Sequence, residues 1–273
     1  MQYDPIKRSL GKVFNQHPAL RKLFYQLLDL LFLRAWHVRK ELRKRTRTSP
    51  EVKTILDAGS GFGQYTYRMA RWFKNADIKA VDIKPEQIED CNQFMKSVGL
   101  SNRVKFELAD LTRFQEPEKY DLILSVDVME HIEEDVKVFG NFYDSLKKGG
   151  MLLVSTPSDQ GGSDSHDHDH EEGVQGFIDE HVRDGYNISD IEAKLKSVGF
   201  SSVEARYAYG TPGKISWKLS MKYPILLLGV SKLFFVILPF YYLIAYPIAA
   251  ILNFCDLAQN HQSGTGLIVK AWK

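Results

Sequence analysis

From residue 52 to residue 157 short apolar runs alternate with stretches of helical periodicity, and this alternation narrows the possible folds most. The apolar runs are VKTILDAG (52–59), IKAVDI (78–83), RVKFELAD (103–110), YDLILSVDV (120–128) and MLLVSTP (151–157). Between them lie helical stretches at 63–74, at 85–98 opened by Pro85, and at 133–147 closed by Gly149-Gly150. A helix between two strands carries the chain back to the same end of a sheet, so the strands run parallel. Both faces are then covered, which is why the runs are apolar throughout rather than alternating. After an acidic, Gly/Ser-rich loop at 158–176 come a helix at 187–200, with Asn187 or Ser189 near its N-cap, and the strands 202–209 and 266–273.

The first strand ends in Asp57-Ala58-Gly59-Ser60-Gly61-Phe62-Gly63. Glycines here permit a tight turn and close approach of backbone to a ligand, and the N–H groups opening the next helix favour an anionic group. A dinucleotide fingerprint would place glycine at position 64, which is Gln64, so the spacing is G-x-G-x-G. Asp82 closes the second strand, where an acid is placed to accept hydrogen bonds from ribose hydroxyls. Asp110 closes the third, where a carboxylate can accept from an adenine amino group.

The segments LDAGSGFGQYT, AVDIKPEQIE, ELADL and YDLILSVDVMEHIEED resemble the successive motifs of class I S-adenosylmethionine-dependent methyltransferases, over about 52–210 plus the last strand. The resemblance implies a seven-stranded Rossmann-like α/β sheet whose last strand is inserted antiparallel. It implies S-adenosyl-L-methionine as cofactor, with Asp57, Gly59 and Gly61 flanking its methionine part. Asp82 would hold the ribose, Asp110 and Leu111 would face the adenine, and Gly63, Ile83 and Asp127 complete the cofactor-binding set.

Methyl transfer from a sulfonium needs alignment of the acceptor, and an oxygen acceptor also needs a base. Asp127-Val128-Met129-Glu130-His131 follows the fourth strand and resembles the corresponding stretch of ubiquinone-pathway O-methyltransferases, where an acid precedes Glu-His. Glu130 and His131 are candidate catalytic residues, as base or cofactor edge; a structural helix start and a metal site are the competing roles, and no metal is assigned. In the cluster 180–186, His181 is a further catalytic candidate, and Arg183 and Tyr186 are candidate acceptor contacts. The competing role there is a helix entry with a local Arg183–Asp184 contact. The His/Asp/Glu run at 166–172 reads as a solvated segment or a flexible lid, with metal binding as the alternative.

Two segments lie outside this pattern. Residues 1–50 hold 12 Lys and Arg against 3 Asp and Glu, although the whole chain is only +2. Within them, LRKLFYQLLDLLFL (20–33) runs into a basic stretch (34–47), with Leu23, Leu27, Leu30 and Leu31 on one helical face. That pattern suits an interfacial membrane helix with affinity for anionic lipid; the alternative is a helix packed on the domain. The second segment, 211–263, contains 22 consecutive uncharged residues at 233–254. The strand after it must rejoin the strand before it, so a single crossing is excluded. A re-entrant or monotopic hairpin is expected, its helices broken by Pro224, Pro239 and Pro247. A buried cap, an oligomer interface and a double span are the alternatives.

These readings divide the chain into N-terminal helices (1–50), a cofactor-binding domain (51–210 with 264–273) and a hydrophobic insertion (211–263). Cys91 and Cys255 form neither a disulfide framework nor a metal spacing, which suits a reducing compartment. The expected function is O-methylation of a lipophilic small-molecule acceptor (phenolic, quinone-like, polyene or polyketide) on the cytoplasmic side of a membrane, peripheral or monotopic. A non-catalytic cofactor-binding scaffold is the alternative. No base-flipping motif is present, so no nucleic-acid partner is expected.

Overall fold

The chain is described by a computed structural model over residues 17–48, 51–161, 182–231 and 234–273. Its seven strands are β1 (Thr54–Ala58), β2 (Asp77–Asp82), β3 (Val104–Leu108), β4 (Tyr120–Val126), β5 (Leu146–Pro157), β6 (Ser202–Ala208) and β7 (Gly266–Trp272). They form one sheet in the order β3-β2-β1-β4-β5-β7-β6. The first five are mutually parallel, and β7 runs antiparallel to β5 and to β6. Strand order reverses between β1 and β4, which opens a crevice at the carboxyl ends of the central strands.

The expected fold is therefore present, with strand ends close to those read from the sequence except at β5, which begins at Leu146 and takes in Gly149-Gly150, where a helix end is expected. Ile55, Leu122, Leu124 and Leu153 point to one face of the sheet, against Met69 and Phe94. Leu56, Ile123, Leu152 and Val154 point to the other, against Phe139 and Phe142. Every second residue of each central strand is buried on one side and its neighbour on the opposite side, so the strands carry no polar face.

Among the described residues two helices precede the sheet, α1 (Pro18–Leu31) and α2 (Leu33–Thr48), separated by the extended residue Phe32. Leu33, Val38 and Leu42 of α2 are buried, and its Glu41 pairs with Arg206 of β6 and Lys270 of β7. The basic segment thus packs on the domain through one face, while Arg43, Lys44 and Arg47 remain exposed. The helices between the strands are α3 (Gln64–Trp72), α4 (Pro85–Ser97), α5 (Asp135–Ser145) and α6 (Ile188–Ser197). The side chain of Asn187 caps α6, accepting from Ser189 N at 2.9 Å.

Between β6 and β7 the chain leaves the sheet as a helical hairpin. The outgoing arm is α7 (Thr211–Trp217), one π-helical turn (Lys218–Lys222) and α8 (Tyr223–Val230); the returning arm is α9 (Phe234–Ala258). Ser216 Oγ donates to Ala249 O at 3.1 Å, and the hydroxyls of Tyr241 and Tyr242 donate to Leu219 O and Ser220 O at 2.6 and 2.8 Å. These bonds fix the arms antiparallel. Pro239 and Pro247 lie inside α9 and do not divide it, contrary to expectation. At 25 residues α9 is about 37 Å long and, by length and composition, sufficient to cross a membrane. Its buried positions are Ala245, Ala249, Asn253 and Asp256, one narrow stripe; Phe240, Leu243 and Ile244 around it are 68–73% exposed.

Candidate active site

The glycine turn after β1 is held by its neighbours. The N–H groups of Gly59 and Ser60 donate to Val81 O at 2.9 and 3.0 Å, and Gly63 N–H to Ser60 O at 2.9 Å. Gly61 N–H donates to Asp82 Oδ2 at 2.8 Å. These four donors serve the protein itself, and the N–H groups opening α3 at Gln64, from which an anion cradle is expected, are not among them. The turn meets its ligand through bare backbone instead. Gly59, Gly61 and Gly63 all have positive φ, and a Cβ on Gly61 would meet nothing within 4 Å, so its open side borders free space. On Gly59 a Cβ would lie 2.2 Å from Val128 Cγ2.

Asp82 stands at the centre of this groove. Its Oδ2 takes the Gly61 N–H and its Oδ1 the Lys84 N–H at 3.1 Å, which orients the carboxylate and leaves further lone pairs for a diol. Its carbonyl accepts from Ala109 N at 3.0 Å, so Asp110 begins one residue from the same point. The exposed Asp110 carboxylate accepts from Thr112 N and Oγ1 at 2.9 and 2.8 Å, which holds it below the usual carboxylate range. Ile83 and Leu108, at the tips of β2 and β3, are 66% and 60% exposed, an unusual cost for apolar residues that a flat aromatic ligand would remove. Leu111 is buried in the core, and its carbonyl accepts from Asn141.

Asp57 lies beneath the turn, buried, and accepts from Thr66 Oγ1 at 2.5 Å. Burial, reinforced by the nearby Asp82 charge, pushes its carboxyl up to about 7. Ser60 Oγ is buried in the turn and has no hydrogen-bond partner among the described residues. An orphaned hydroxyl, a glycine surface without side chains, a fixed acid and two exposed apolar strand tips together fit a nucleoside carrying a charged aliphatic tail.

Next to this groove, over the ends of β4, β5 and β7, lies a cavity of about 130 Å³. Its walls include Arg34, Asp127, Thr156, Pro157, Tyr209 and Gly266. Asp127 has φ 50° and donates its N–H to Ser155 O at 2.8 Å, while its carboxylate pairs with Arg34 of α2. Asp127 therefore belongs to this cavity as much as to the cofactor groove. Tyr209, also at positive φ, lays its ring over Gly266, where a Cβ would approach it to 2.4 Å. Behind the wall, Thr156 Oγ1 donates to Glu130 Oε2 at 3.1 Å. Glu130 is buried, and burial raises its carboxyl above the ordinary range. His131, the next residue, is exposed on the 3-10 turn Met129–His131. Glu130 faces inward and Asp127 is committed to Arg34. Among the described residues no three His, Cys, Asp or Glu side chains come together in a metal-holding group.

The second sequence cluster is placed differently from expectation. Tyr186 is fully buried; its hydroxyl donates to Asp135 Oδ2 at 2.8 Å, and burial raises it. Arg183 Nη1 reaches the same Asp135 oxygen at 2.5 Å and Met129 O at 3.2 Å, and Nη2 reaches Glu133 O at 3.1 Å. Lys194 completes the cluster at 2.9 Å. Arg183 and Tyr186 thus fasten the turn after β4 to α6 rather than lining the cavity, with Asp135 as their shared partner. His181 and the His/Asp run lie outside the described residues.

Sequence reading did not single out Arg34, Tyr65, Thr156 or Tyr209. Tyr65 is hydrogen-bonded to Arg34, and burial raises its phenol. It also passed over Arg21, Tyr25 and Asp29, although their i, i+4, i+8 spacing marks a polar stripe opposite the leucines.

A family model described as a methyltransferase domain matches residues 51–196. The chain belongs to this family. It is similar to phosphoethanolamine N-methyltransferase 1 of Arabidopsis thaliana, 29% identical over 61% of this chain and 32% of that protein. It is also similar to malonyl-[acyl-carrier protein] O-methyltransferase 1 of Ilyobacter polytropus, 28% identical over 44% of each. The chain thus spans less than half the length of these curated relatives. Among solved structures, Haemonchus contortus phosphoethanolamine N-methyltransferase 2 in complex with S-adenosyl-L-methionine shares the fold. Its TM-score is 0.59 at 19% identity, over 92% of this chain and 60% of that one. Family, fold and groove agree with the methyltransferase class and the cofactor expected from the sequence.

Proposed function

We propose that this methyltransferase moves the methyl group of S-adenosylmethionine to an oxygen of a lipophilic acceptor that reaches the site from the cytoplasmic side of a membrane. One observation carries the reading: the apolar hairpin leaves and rejoins the sheet at the lip of the acceptor cavity. Tyr209, Thr265 and Gly266 line that cavity, and they are also the two stems of the hairpin. The exposed apolar face of α9 therefore begins beside the place where the acceptor is methylated. Lys214, Lys218 and Lys222 along the outgoing arm suit a headgroup layer. A hairpin with both stems on one sheet enters and leaves a bilayer from the same side, and the lysines spaced along the outgoing arm favour a monotopic attachment over a double span.

The cofactor supplies an electrophilic methyl group and its leaving group. The chain supplies position and a path for a proton. Asp82 and the glycine surface orient the nucleoside end, and the Asp127–Arg34 pair and Tyr209 border the acceptor. Thr156 bridges the cavity to Glu130, whose raised carboxyl suits a base working nearer neutrality. An acceptor hydroxyl next to Thr156 would pass its proton through the threonine to Glu130.

The test incubates the protein with methyl-labelled cofactor and a membrane lipid extract, followed by mass spectrometry for the gain of one methyl. A labelled, organic-soluble ether or ester supports the reading, and Glu130→Gln should lower kcat roughly 10²-fold with little change in KM. Efficient labelling of a water-soluble amine such as phosphoethanolamine, without any lipid product, overturns it. Sedimentation without detergent checks the hairpin: a stable dimer that leaves vesicles unbound would make α9 an oligomer interface.

A further inference from the structure

Helix α1 is packed inside out. Its buried positions are Arg21, Tyr25 and Asp29, at 3%, 0% and 2% exposure, whereas Leu20, Leu23, Leu27 and Leu30 are 37–46% exposed. A helix docked on a soluble domain normally buries its apolar stripe and shows its polar one. Here attachment rests largely on charged and polar contacts, which are near break-even once desolvation is counted, with the Tyr25 ring against Tyr67 and Phe94 and the packing of Phe24 as its apolar part. The stripe that would gain most from leaving water is left exposed by the described residues.

The buried stripe grips the cofactor loop. Arg21 Nη2 donates to Phe62 O at 2.9 Å, and the Tyr25 hydroxyl donates to the same carbonyl, which lies between Gly61 and Gly63. Arg21 Nη1 also pairs with Asp90 of α4 at 2.6 Å. Asp29 accepts from Gln64 Nε2 at 2.7 Å and pairs with Arg68, both on α3, the helix that the glycine turn opens. Any shift in the docking of α1 is therefore a shift in what holds the cofactor loop.

The leucine stripe is also continuous with the hairpin. The indole N–H of Trp36 donates to Leu30 O at 3.2 Å, and its ring meets Phe254 of α9 edge-on at 5.1 Å. Leu30 and Phe254 are both exposed, so the two apolar surfaces meet at Trp36. The exposed Arg43, Lys44 and Arg47 of the adjoining α2 give the occupant a negative sign.

We propose that an anionic bilayer surface covers the leucine stripe of α1 and thereby clamps the glycine loop, so that membrane docking and cofactor binding reinforce each other. This rests on the membrane attachment put forward above. Coupling between two binding sites is reciprocal: if lipid tightens cofactor binding, cofactor tightens lipid binding by the same factor.

The experiment measures the Kd of S-adenosylhomocysteine for the full chain alone, with neutral phosphatidylcholine vesicles, and with vesicles containing phosphatidylglycerol. Flotation is scored in parallel. The anionic vesicles should tighten binding roughly tenfold, within the usual range for coupled sites. The double variant Leu23→Gln/Leu27→Gln should keep the vesicle-free Kd and still float through its hairpin, but lose the tightening. Tyr25→Phe, with one donor to Phe62 O removed, should float normally and show a smaller tightening. Flotation with an unchanged Kd overturns the coupling alone. Absence of flotation overturns the membrane reading and the coupling together. Tightening that follows protein concentration without lipid would make a second copy the occupant and overturn the proposal.

Discussion

Asp57 shows how one buried acid can tie cofactor binding to pH. Its carboxyl is pushed up to about 7, mainly by burial. A raised acid holds its proton more tightly folded than unfolded, so its contribution to stability is greatest in acid and is lost as pH rises through about 7. A cationic ligand overhead reverses that preference, because it favours the carboxylate. Cofactor affinity should therefore rise between pH 6 and pH 8 and level off, with a proton released on binding at the acid end. Calorimetry in two buffers of different ionisation enthalpy reads that proton directly, and Asp57→Asn should abolish the slope. The two neighbouring glycines should separate folding from binding. Gly61→Ala has space for its methyl but sits at φ 49°, a strain of roughly 1–2 kcal/mol, and its methyl intrudes on the ligand surface. The variant should fold and bind cofactor at least about tenfold more weakly. Gly59→Ala adds a clash with Val128 and should lower thermal stability as well. Denaturation curves set beside binding isotherms distinguish the two.

Among the elements, α2 and the hairpin depend on one side chain. Asp256, near the end of α9, accepts from His37 Nε2 at 2.8 Å and Tyr209 N at 3.2 Å through Oδ1. Through Oδ2 it accepts from Gly213 N at 3.0 Å, with His261 Nε2 at 3.2 Å. Asp256→Ala would strand those partners in the interior, so a loss of about 3 kcal/mol or more is expected in urea unfolding. None of this was legible in the sequence. A lone aspartate at the end of an apolar run carries no mark of partners as far as 219 residues away. The strands were legible because burial on both faces writes itself as unbroken Val, Ile and Leu, and the cofactor groove because Asp57, Asp82 and Asp110 recur at strand ends. The acceptor side was not. Arg34, Tyr65 and Tyr209 come from three separate elements, and only tertiary packing brings them together. Arg183 and Tyr186 misled for the related reason that Asp135, their partner, lies some fifty residues earlier in the chain.

At the scale of the whole molecule, the hairpin is an excursion from an otherwise complete sheet. Ala208 and Gly266 are paired partners across β6 and β7, so the two stems stand side by side before and after it. Replacing residues 211–262 with a short turn should leave the sheet and its groove closed. The shortened chain is expected to bind S-adenosylhomocysteine and to stay in the soluble fraction when vesicles are floated, with lower thermal stability from the loss of Asp256. Retained flotation would shift the weight of membrane binding to α1.

The position of β7 has one more consequence, for the order in which the protein is made. It follows β6 in the chain, yet it occupies the place between β5 and β6. Until it arrives, β6 has no neighbour in the sheet, so its edge stays open while the whole apolar excursion is being made. The far side of the domain therefore closes only when the chain has completed the hairpin and come back, and the sheet's completion and the meeting of the two stems are a single event.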